Sequence, residues 1–118
     1  MKRRLHEDLS VIQRTQDFII WALDLIERMP KSLRFSQGNR LLATSYDLLY
    51  CLIDAKYKKD KQEELAKANF HVDCIRNHLQ ILLKSNAING GKFLHASELL
   101  LTIGVEVGAW RRKQKDKL

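Results

Sequence analysis

The chain has 118 residues, enough for one ordinary domain around one hydrophobic core and too few for two. Hydrophobic residues make up 45% and charged residues 30%, too apolar a mixture for disorder, and one Pro and five Gly permit long regular elements. Lys and Arg number 21 against 14 Asp and Glu, a formal charge of +7 that favours polyanionic partners: nucleic acid, an anionic membrane or an acidic protein.

The first segment, MKRRLHEDLS, is basic, but no uncharged apolar run follows it, because Arg14, Asp17 and Asp24 interrupt. Neither a signal peptide nor a membrane span is expected, which points to a cytoplasmic protein. Ile12, Thr15, Ile19, Ala22, Ile26 and Met29 then advance by threes and fours, with Val11, Phe18 and Leu25 widening the stripe. That period predicts a helix over about 8–29, closed by Pro30. A second helix over about 33–57 carries Phe35, Leu42, Leu49 and Leu52 on one face, with Ser32 or Ser36 as its expected cap. The third, about 61–85, reads Leu65, Ala68, Val72, Ile75, Leu79, Leu82; the turn-rich Ser85–Gly91 follows. The fourth, about 90–113, reads Phe93, Ala96, Leu100, Ile103, Val107, Trp110 and frays into a basic tail over 111–118.

Four amphipathic helices joined by short links predict a single all-α domain over 1–118, an antiparallel up-down four-helix bundle. No segment alternates with period two, so no sheet is expected. Gly104 and Gly108, four apart on one helix face, serve either tight packing inside the bundle or a subunit contact that also takes in Trp110. Leu99, Leu101, Val105, Ile81 and Leu83 lie off the core seams. They supply more apolar surface than one bundle needs to bury, which predicts a homo-oligomer.

Chemistry is hard to find. No His is preceded three residues earlier by an acid, so the Glu-x-x-His pairs of di-iron bundles are missing. His71, Cys74 and His78 share a helix face, but three ligands on one straight helix rarely meet at one ion, and the pattern reads as a buried Cys flanked by two histidines. Cys51 and Cys74 form no disulfide framework, and no Gly-rich phosphate loop is present. No catalytic residue, metal or cofactor is nominated, and the protein is not expected to be an enzyme.

The charge is more informative. Residues 1–30 hold five basic and five acidic groups, and 62–84 hold three of each. Residues 31–61 hold seven against three, and 85–118 hold six against three. Lys31, Arg34 and Arg40 open the second helix, Lys56, Lys58, Lys59 and Lys61 close it, and Arg111, Arg112 and Lys113 extend the fourth. Such clusters suit sequence-independent phosphate contacts with RNA or DNA, and an oligomer would multiply them. The alternative is an oligomeric structural or protein-interaction module whose cations only face water.

Met29-Pro-Lys-Ser-Leu-Arg-Phe35, Asp47-Leu-Leu-Tyr-Cys-Leu-Ile-Asp-Ala-Lys-Tyr57, Ala68-Asn69, Ile75-Arg76 and Ile103-Gly-Val-Glu-Val-Gly-Ala-Trp110 together resemble the accessory variability determinant proteins of diversity-generating retroelements. That family is related to four-helix-bundle proteins encoded in intervening sequences of ribosomal RNA genes. The resemblance spans roughly residues 28–112. It implies a homopentameric, barrel-like assembly that binds nucleic acid and associates with the retroelement's reverse transcriptase. It also implies a non-catalytic role in the mutagenic copying of template RNA (retrohoming). By position it extends to Lys31, Arg34 and Arg76 as basic site residues. Gln80 and Val105 stand where the family pattern leads one to expect arginine, so a patch on the third and fourth helices would be weaker here.

Overall fold

Each apolar stripe becomes one long helix. The computed structural model describes the backbone of residues 2–116 and the side chains of residues 10–116. Helix α1 spans Lys2–Glu27, starting earlier than its apolar stripe. Helix α2 begins as a short turn, Lys31–Leu33, passes through a π-helical segment, Arg34–Gly38, and continues as α-helix over Asn39–Tyr57. Helices α3 and α4 span Gln62–Lys84 and Gly90–Asp116. No strand occurs among the described residues.

Each helix packs against its neighbours in sequence, and α4 closes the ring against α1, while among the described residues the Cα atoms of diagonal helices stay more than 8 Å apart. With links as short as residues 58–61 and 85–89, neighbours run antiparallel in a rod of 47 × 22 × 20 Å. The core is one continuous cluster fed by every stripe: Phe18 and Ala22 from α1, Leu48 and Leu52 from α2, Leu65 and Ile75 from α3, Ile103 and Val107 from α4. Burying a side chain of this size contributes about 1.5–3 kcal/mol, so the stripes supply most of the stabilisation. Two hydroxyls inside it are satisfied locally, Thr15 donating to the Val11 carbonyl (2.8 Å) and Ser45 to that of Leu41 (2.7 Å).

The α1–α2 corner departs from the sequence reading. No serine caps α2; Pro30 precedes its first turn, and the Ser36 hydroxyl donates to the Ser32 carbonyl instead. A proline's fixed φ and missing N–H make it an adequate helix start without a cap. The wider π-helical turn brings Gly38 against α1, where an added Cβ would lie 2.6 Å from Ile26 Cγ2. Only glycine permits that approach. The far end of α4 differs too: the expected fraying tail is helical to Asp116 and anchored by buried Gln114, while Arg111, Arg112, Lys113, Lys115 and Asp116 stay exposed. Residues 117 and 118 of that tail lie outside the described residues. Among the described residues no helix is long and apolar enough to cross a membrane.

Candidate nucleic-acid interface

Up-down topology sorts the basic residues by end. Lys31, Arg34 and Arg40 lie at the end where α2 begins. The α2–α3 link and the last turns of α4 meet at the other, which gathers Lys56, Lys58 and Lys59 with Arg111, Arg112 and Lys113. Two clusters more than 50 residues apart in sequence thus share one end of the rod. Arg76 lies between the ends, about midway along α3.

Several of these cations already have protein partners. Arg34 Nη2 donates to the carbonyls of Glu27 (2.9 Å) and Met29 (3.2 Å), closing the carboxyl end of α1, where unsatisfied carbonyls and the helix dipole favour a cation. Its Nε is buried without a partner. Lys58 bridges to Glu64, which is 4% exposed, and to Asp54 at 3.4 Å. The Lys58 ammonium holds the Glu64 carboxyl below its ordinary range, and that same bond raises Lys58. Lys61 donates to the carbonyls of Ala55 (2.7 Å), Lys56 (3.3 Å) and Lys58, so it closes α2. Lys56 is half-buried, with its ammonium 5.4 Å from the Tyr57 ring centroid.

Arg111, Arg112 and Lys115 behave differently. All three are exposed, and among the described residues no carboxylate pairs with them. They line a groove between α3 and α4 made of two adjoining hollows of about 400 and 520 Å³ that share Ala66 and Arg111. Arg76 borders the first hollow, 3.1 Å from Asp73, an exposed i,i+3 pair of small energetic weight. The groove lining therefore carries four cations, Arg76, Arg111, Arg112 and Lys115, against the single carboxylate of Asp73. On the opposite flank of α4, a hollow of about 180 Å³ facing α1 has Asp17 and Glu98 against Arg14 alone. Arg14 in turn is bound to Glu106 at 2.7 Å.

Gly104 and Gly108 lie along the basic groove. A Cβ at Gly104 would meet Val72 Cγ1 at 3.5 Å and one at Gly108 would meet Arg112 Nη1 at 3.5 Å, both ordinary contacts. Packing within the chain does not require either glycine, although each costs a helix interior about 1 kcal/mol relative to Ala. Trp110 is 6% exposed and fills the bundle's own core, which leaves it little surface for a subunit contact. Of the off-seam residues, Leu83 and Leu99 pack against the core, while Ile81, Leu101 and Val105 are more than half exposed. Phe70 joins Leu101 and Val105 in the groove. Periodicity gives no reason to single out Phe70; its one signal in sequence is a large aromatic outside the apolar stripe, between Ala68 and Val72.

His71, Cys74 and His78 are all half-buried, and His78 Nε2 donates to Gln37 Oε1 at 2.9 Å, tying α3 to the π-helical segment. Burial, aided by nearby Arg40, holds the His78 ring below its ordinary pKa. Burial likewise pushes the Cys51 thiol up, away from the reactive thiolate. Among the described residues no group of three or more His, Cys, Asp or Glu is placed to hold a metal ion.

No curated protein matches the chain. A family model described as bAvd-like matches residues 9–114, from the first helix to the last turn of the fourth.

Proposed function

The chain belongs to the bAvd-like family of accessory variability determinant proteins, and from that membership we propose a non-catalytic nucleic-acid-binding role beside a retroelement reverse transcriptase. In this reading the protein works as a homo-oligomer, taken to be pentameric, and supports the mutagenic copying of template RNA. Phosphate contacts come chiefly from Arg111, Arg112 and Lys115, with Lys59 adding to the same end of the rod. The observation that carries the reading is the basic groove at that end, where among the described residues no carboxylate pairs with Arg111, Arg112 or Lys115. Arg34 and Lys58 play a smaller part than their place in the sequence suggests, because helix carbonyls and Glu64 engage them.

Fluorescence anisotropy with labelled RNA and DNA across a salt series tests it. Binding that weakens log-linearly with salt, each neutralised phosphate adding about 0.7–0.9 to the slope, is the expected result. Absence of binding at low salt removes the role. The exposed Ile81, Leu101 and Val105 favour a second reading, a protein-interaction module without nucleic acid. It requires a stable oligomer by light scattering and no shift of any nucleic acid.

A further inference from the structure

We infer that the α3–α4 groove takes an unpaired strand in preference to a duplex, with a base stacked on Phe70 and its phosphates on Arg111, Arg112 and Lys115. The inference rests on the nucleic-acid reading above and adds the class of substrate and the residue that selects it. Charge alone does not discriminate, since four cations against one carboxylate attract any polyanion. The apolar wall does. Phe70, Leu101 and Val105 are 64%, 61% and 60% exposed and border the same hollow as Arg76 and Arg111. A duplex turns phosphate and sugar outward and keeps its base faces stacked inside, so it would satisfy the arginines and leave these three side chains facing water. An unpaired strand carries phosphates along one edge and flat apolar faces along the other. An aromatic ring beside a cationic track is the arrangement that single strands use, and stacking does not depend on which base is present.

The dimensions agree. From Leu101 to Lys115 the groove follows 14 helical steps, about 21 Å at ~1.5 Å each, space for a run of a few nucleotides. Ala66, Gly104 and Gly108 keep the lining low along this path, and neither glycine is required by contacts within the chain. The groove stays open for something that comes from outside, and the charge of its rim specifies an anion.

The test uses the full chain, a labelled unstructured 12-mer such as oligo-dT, and a duplex presenting the same number of phosphates at equal salt. The 12-mer is expected to bind at least tenfold tighter. Phe70→Ala should weaken 12-mer binding by about 5- to 150-fold, the range of one lost stacking contact. Its duplex affinity should stay within about twofold, and Phe70→Trp should restore the preference. Gly108→Leu, which fills the groove without touching the core, should weaken 12-mer binding in the same way. Equal affinity for the two forms overturns the inference and leaves the nucleic-acid reading standing. So does a Phe70→Ala effect that is equal on both, absent from both, or seen only as a changed oligomer mass in light scattering. No binding to either form overturns both.

Discussion

Two basic segments meet at one end of the rod, and they do different work. In the α2–α3 link, Lys58 and Lys61 are turned inward onto Glu64, Asp54 and the last carbonyls of α2. In the last turns of α4, Arg111, Arg112 and Lys115 border an open groove. The reason is helix geometry. A chain leaving one helix and entering the next passes its own unsatisfied carbonyls, and a lysine a few residues on can reach back to them. Arg111, Arg112 and Lys115 are exposed on α4, and among the described residues no carboxylate pairs with them. Basic residues at a helix junction are therefore poor evidence for a ligand, and basic residues on a groove wall are better evidence.

Substitution can separate the two roles. The largest effect is expected from Arg111→Glu with Arg112→Glu, which should lower nucleic-acid affinity about a hundredfold at low salt and flatten the salt slope by about two contacts. Its thermal midpoint should stay near wild type; a large fall would mean that these arginines also hold the fold. Lys61→Met should show the reverse pattern. Losing its carbonyl bonds is expected to cost about 1–2 kcal/mol, read as a fall of several degrees in the melting midpoint, with affinity changed no more than about threefold.

Two smaller effects follow pH. Lys58 holds the Glu64 carboxyl below its usual range, so the stability this pair contributes is complete above the unfolded value of about 4.3. It is lost as pH falls through the lower folded value. Glu64→Gln should remove that limb of the acid-denaturation curve while leaving nucleic-acid binding at neutral pH in place. The other control lies at the opposite end of the rod. His78 is held below its ordinary pKa by burial, so the unfolded chain takes up its proton first as pH falls below about 6.5. Stability should decline slightly from there towards the folded value, and His78→Asn should flatten the decline in urea titrations at pH 7 and pH 5.5. A decline that persists in the variant assigns it to another group.

The helices were the easiest part to read. Each stripe, from Ile12 to Trp110, depends on residues three or four apart that share a face through local geometry alone. Off-seam residues divided: Ile81, Leu101 and Val105 are exposed, while Leu83 and Leu99 pack against the core. The site was read less well. Arg34 matches a basic position of the family resemblance, yet its guanidinium closes α1. Phe70 carries no periodic signal and becomes notable only once Leu101, Val105 and Arg111 stand beside it.

By itself, then, the sequence determined the number of helices, their apolar faces and the surplus of positive charge, because periodicity and composition need no knowledge of distant residues. Tertiary structure decided which cations remain available. A lysine or arginine commits to a carboxylate or a carbonyl within about 3 Å, and packing alone brings Glu64 to Lys58, the end of α1 to Arg34, and α3 alongside Arg111.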